Sequence, residues 1–167
     1  MVSTSTRSTP QERVATRKLV WAGPLTIVLV VLVNLVVRSF AVSFFGVSSS
    51  FPYLQAPVII ITTVVFLVLA ILVFVLIGRV SSHPVRSFRI VGGFALVVSF
   101  LNPLLQLAGH WLPATGMNLS IFWTMIVIHI VSAFIAVSLL TTLAVERVRA
   151  GGRVDSVEKF TRITTRK

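Results

Sequence analysis

The stretch PVIIITTVVFLVLAILVFVLIG, residues 57–78, holds 22 residues and no formal charge. A helix of about 20 apolar residues crosses a hydrocarbon slab of ~30 Å, so this run predicts a membrane span, with Pro57 suited to its first turn. Three further runs flank it. LVWAGPLTIVLVVLVNLVV, residues 19–37, is uncharged up to Arg38. A third run follows Arg89 and continues to about Gly109, and a fourth extends from about Leu119 to Val145. Between the last two, HWLPATGMN at 110–118 carries Pro and Gly and reads as a short turn. The expected fold is an all-α membrane protein, a four-transmembrane-helix bundle with spans at about 19–38, 57–78, 90–109 and 119–145. Residues 1–18 and 146–167 read as basic tails, the first of them disordered.

Composition agrees with the runs. Of 167 residues, 56% are hydrophobic and 11% charged, against roughly 25% charged in an average soluble domain. Fifteen Lys and Arg against four Asp and Glu give a formal charge of +11, which taken alone would suggest nucleic acid. Their distribution argues otherwise. With four spans, fourteen of the fifteen cationic side chains fall on one side, Arg38 being the exception. That is the positive-inside pattern with both termini cytoplasmic. Attraction to anionic lipid at the cytoplasmic face is therefore expected, with no role for nucleic acid. A cleaved signal peptide competes for the first run, but Arg38 and the length of the run oppose it.

Zero cysteines exclude disulfides, thiolate nucleophiles and Cys-ligated metals. The four carboxylates, Glu12, Glu146, Asp155 and Glu158, all lie outside the apolar runs, so paired acids are missing as well. No metal site and no cofactor is expected. Haem held by two histidines fails because His83 and His110 belong to connections while His129 stands alone at its depth. A Ser–His pair drawn from Ser99 or Ser132 with His129 lacks an orienting acid. The chain does not read as an enzyme.

Polar groups inside hydrocarbon are costly, which makes their positions informative. At a rise of about 1.5 Å per residue, Asn34 lies ~22 Å from the cytoplasmic edge, Asn102 ~20 Å, and His129 ~15 Å from the outer edge. Span three carries Gly92, Ala95, Ser99, Asn102, Gln106 and Gly109 at alternating spacings of three and four, one seam of a helix in which every member is small or polar. His129, Ser132 and Ala136 repeat the spacing on span four, so the two faces are expected to meet. Span two, offering only Thr62 and Thr63, is expected to face lipid most. Pro103 lacks a backbone N–H and is expected to kink span three near Ser99, opening a polar cavity rimmed by Gln106, Arg38 and His110. Arg38 is expected to reach the outer headgroups. The connection 39–56, with its Phe and Tyr residues, is expected to lie in the outer interface and cover the bundle mouth.

The entry and asparagine of span one (WAGPLTIVLVVLVNLVVR, from Trp21), the basic connection before span three, the centre SFLNPLLQL and the segment IHIVSAFIAV together resemble a family of small, uncharacterised four-span bacterial membrane proteins, a domain of unknown function common in actinobacteria. The resemblance covers about residues 19–145 and implies a four-helix membrane fold in a bacterial inner (plasma) membrane, with no established activity. Two functions compete on this reading. In one, Asn34, Ser99, Asn102, Gln106 and His129 form a pocket that binds or passes a small polar or lipidic ligand. In the other, the chain is a non-catalytic accessory subunit of another membrane protein, or a homo-oligomer, and these residues with Gly92, Ala95, Gly109, Ser132 and Ala136 are packing devices.

Overall fold

The computed structural model describes residues 11–109 and 116–148. A strand β1 (Gln11–Val14) leads into helix α1 (Thr16–Phe45), and a single 3-10 turn (Pro52–Leu54) leads into α2 (Ala56–Val80). Helices α3 (Pro84–Ser99) and α4 (Leu101–Leu107) form one interrupted rod, followed by α5 (Leu119–Leu143) and strand β2 (Val145–Val148). Among the described residues, four rods are long and apolar enough to cross a membrane, the third running from Pro84 to Leu107. The fourfold division expected from the sequence is therefore present.

Each boundary has a local cause. Pro at the first turn opens α2 and α3, where its missing N–H costs nothing. Asn118 caps α5, its side chain accepting from the Ile121 N–H at 2.9 Å. Span one runs on to Phe45, past the boundary expected at residue 38. The charge of Arg38 does not stop a helix, whereas Gly46, at φ 61°, takes the left-handed conformation that ends one. Span three breaks at Phe100, between Ser99 and Leu101. Pro103 supplies no N–H to the Ser99 carbonyl, so the interruption falls where the missing donor predicts it.

The tail expectations need correction at both ends. Residues 11–14 and 145–148 pair as an antiparallel ribbon that places Glu12 opposite Arg147 and Arg13 opposite Glu146. Ala15 donates its N–H to the Ala144 carbonyl at 2.9 Å, joining the ribbon to the ends of α1 and α5. Lys18 and Glu146 add an exposed ion pair at 3.0 Å. Both ends of the described chain thus meet at one end of the bundle, against α2 and α3, here termed the ribbon end.

The core forms three layers. At the ribbon end, Leu19, Ala22, Phe74, Phe88, Leu140 and Ala144 are buried together, with Phe74 and Phe88 edge to face at 4.7 Å. A thin middle layer holds Val30, Leu67 and Ala136. At the opposite end, Val47, Phe51 and Leu54 of the connection fold onto Ile59, Ile121 and Met125. That connection caps the bundle, as its position and composition suggested. Arg38 does not reach outward; its Nε donates to the Leu54 carbonyl at 2.5 Å and ties α1 to the cap. The rod expected to be most exposed is also different. A smaller share of the third rod's most apolar stretch is buried than of α2's, 11% against 17%, because α3 stands off from its neighbours around a cavity.

Candidate functional site

One helical turn toward the cap from the middle layer, three polar side chains meet. Asn34 follows Val30 by four residues on α1, Thr63 precedes Leu67 by four on α2, and Ser132 precedes Ala136 by four on α5. The alternating helix directions bring all three to one level. The Asn34 Nδ2 donates to Thr63 Oγ1 at 3.1 Å and to Ser132 Oγ at 2.9 Å, while Ser132 Oγ donates to Asn34 Oδ1 at 3.0 Å. Asn34 is 1% exposed. Between helices in lipid there is little hydrophobic gain to be had, so such bonds and close fit hold the rods together.

Beside this knot a cavity of about 400 Å³ opens between α2, α3 and α5, with Asn34 of α1 at its back. Its size falls in the range of small-molecule sites. Ser99 and Asn102 line it from the third rod, His129 and Ser132 from α5, and Thr62 and Thr63 from α2. Four of the five residues expected to form a pocket, Asn34, Ser99, Asn102 and His129, therefore line one cavity. Gln106 does not reach it. Its Nε2 donates to Asn102 Oδ1 at 3.0 Å, and its Oε1 is buried with no partner among the described residues. Arg38 is likewise elsewhere, and His110 lies outside the described residues.

Several polar hydrogens on the wall are committed to the helices that carry them. Ser99 Oγ donates to the Leu96 carbonyl at 2.7 Å, and Thr62 Oγ1 to the Val58 carbonyl at 2.6 Å. His129 Nδ1 lies 2.6 Å from the Met125 carbonyl, and the ring stands edge to face with Phe100, centroids 6.5 Å apart. Among the described residues no carboxylate, lysine or arginine lines the cavity, and no cluster of metal-ligating side chains occurs.

The seam of span three behaves in two ways. At Gly92 it meets α5, since a Cβ there would stand 3.0 Å from Val137 Cγ2. Ala95, Ser99 and Asn102 line the cavity instead of touching α5 across a closed interface. Gly109 is no packing residue. It follows the end of α4 at φ 70° with open space around it, a terminating turn whose spacing coincides with the seam. Ser132 and Ala136 do pack, the first through Asn34 and the second in the middle layer. Thr63 was the residue whose part was hardest to see. Its signal was two hydroxyls in an otherwise aliphatic helix, but only the tertiary arrangement pairs one of them with Asn34.

The chain matches no curated protein and no solved structure. A family model, described as a family of unknown function (DUF6069), matches residues 14–146, which take in the four rods, the cap and all the residues that line the cavity. The chain belongs to that family of unknown function.

Proposed function

We propose that this multi-pass membrane protein is a non-catalytic component of a bacterial plasma membrane, both ends cytoplasmic, whose cavity binds a small polar or lipidic ligand or gates its passage. The observation that carries the reading is the convergence of Asn34, Ser99, Asn102 and His129, from separate segments of the chain, on one cavity. Isolated packing devices have no reason to collect around an open volume. The cationic side chains Arg17, Lys18, Arg79, Arg86 and Arg89 cluster toward the ribbon end, which supports a cytoplasmic position for that end and contact with anionic lipid there.

A second reading, an accessory subunit that assembles through its helices, draws on the knot at Asn34, whose amide is spent on other helices of the same chain. The readings separate on two variants. His129→Phe and Asn102→Leu leave a folded protein under the binding reading, and a small molecule copurifying with the parent protein, seen by native mass spectrometry, is lost from both. The packing reading instead expects lower stability in detergent and no such molecule. The orientation is tested by introducing single cysteines, since the chain has none. Membrane-impermeant labelling from outside intact cells at Ser49 but not at Ser82 is expected; the reverse would invert the topology.

A further inference from the structure

Resting on the reading that the cavity is a ligand site, we infer that its occupant is a neutral, single-chain amphiphile whose head is a hydroxyl: a long-chain alcohol in chemical class. Three observations lead there. The first is charge. Burying an ion in a low-dielectric site without a partner is prohibitively costly, and no charged side chain lines this wall among the described residues. An anionic headgroup finds no cation here.

The second is the balance of donors and acceptors. A carbonyl oxygen only accepts, so the contact with Met125 assigns the ring proton of His129 to Nδ1. In the neutral imidazole Nε2 then carries a lone pair and accepts. Ser99 and Thr62, their hydrogens committed to Leu96 and Val58, likewise have lone pairs to offer. The amide of Asn34 is committed to Thr63 and Ser132. Asn102 supplies the complementary donor, since its Oδ1 is taken by Gln106 and its Nδ2 hydrogens are not. A hydroxyl both donates and accepts, so it satisfies His129 Nε2 or Ser99 together with Asn102. An ether or ketone engages the donor alone.

The third is shape. Toward the ribbon end the polar wall gives way to Phe66 and Val73 of α2, Phe88 and Val91 of α3, and Ala136 and Val137 of α5. From Thr62 to Val73 the helical rise covers about 16 Å. A cavity of about 400 Å³ extended over that length suits a single alkyl chain. The head lies among the polar residues and the chain points toward the ribbon end.

The test uses the full chain in phosphatidylcholine nanodiscs with three probes of equal length: 1-tetradecanol, methyl tridecyl ether and tetradecanoate. Two readouts are followed, the thermal midpoint and the ¹⁵N resonances of His129, assigned by their loss in His129→Phe. The ring is expected in the Nδ1-protonated form. Tetradecanol is expected to raise the midpoint saturably and to shift Nε2, and the ether to bind about fivefold more weakly without shifting it, the loss of one net hydrogen bond. Tetradecanoate is expected to do neither. In His129→Phe the preference for alcohol over ether is expected to narrow. An Nε2-protonated ring, equal binding of alcohol and ether, or preferred binding of tetradecanoate would overturn this inference while leaving the cavity a ligand site. If no probe moves either readout, the ligand-site reading itself falls.

Discussion

Asn34 and Ser132 stand 98 positions apart in the chain and hold each other twice, Ser132 Oγ accepting from the Asn34 Nδ2 at 2.9 Å and donating to its Oδ1 at 3.0 Å. A polar pair of this kind on α1 and α5 fixes the axial register of the two rods that pack most extensively. Truncating either partner leaves the other in hydrocarbon without its bond. Interhelical bonds in membranes average ~0.6 kcal/mol and reach about 1.7 kcal/mol in double-mutant cycles. A cycle of Asn34→Ala and Ser132→Ala, read by reversible unfolding in detergent, is expected to give a coupling within that span. Strictly additive losses would mean that the pair does not hold the register.

How much of this was legible in the sequence depends on how local each cause is. The four rods follow from uncharged runs and a break from Pro103, since the length of an apolar segment and a missing N–H act within a turn or two. Asn34, Ser99, Asn102 and His129 stood out because a polar residue at depth demands an account wherever it occurs. The ribbon was not legible. Gln11–Val14 and Val145–Val148 are four residues each, too short for a periodic pattern, and each takes its meaning from a partner more than 130 positions away. Gly109 misled for a related reason: spacing alone does not tell a packing glycine from one that ends a helix.

The cap depends on Arg38. Its Nε bond is the side-chain link recorded between α1 and the Leu54 carbonyl, and Leu54 is buried. Lysine keeps the charge but has no donor at the Nε position, and methionine has no donor at all, so Arg38→Lys and Arg38→Met both leave that carbonyl without its Nε bond. An unsatisfied buried group costs about 1–3 kcal/mol. Because the cost falls on a short connection, it is expected as local loosening, with faster amide hydrogen exchange across residues 47–59 and little change at the ribbon end. Unchanged exchange in the cap would show that the bond does not fasten it.

At the other end of the bundle the ribbon docks on a glycine. A Cβ at Gly78 would stand 2.5 Å from Val14 Cγ2 and 2.9 Å from Val14 Cβ, contacts closer than real side chains make. Val14 is β-branched and held by the ladder opposite Val145, so it has little freedom to turn aside. Gly78→Ala is therefore expected to lift β1 from α2 at a cost of about 1–3 kcal/mol, typical of overpacking. Val14→Ala in the same chain removes Cγ2, the closer of the two atoms, and is expected to recover a large part of the lost midpoint and of the protection of the β1 and β2 amides. Failure of the second change to rescue the first would place the strain elsewhere.

Gln106 runs against the usual sign of a core substitution. It is 4% exposed, its Nε2 is spent on Asn102, and Oε1 has no partner among the described residues. Removing one member of a satisfied pair destabilises, but removing an acceptor that was never paired relieves a desolvation cost. Methionine is close to glutamine in length and adapts to irregular space. Gln106→Met is thus expected to leave the thermal midpoint unchanged or to raise it, by up to ~1 kcal/mol of stability, the lost bond to the exposed Asn102 being replaced by water or ligand. Gln106→Glu provides the contrast, since it buries a carboxylate where the amide donor had been and is expected to destabilise. A marked loss on Gln106→Met would mean that Oε1 is satisfied in the working protein, and unfolding of the three chains side by side decides between the two.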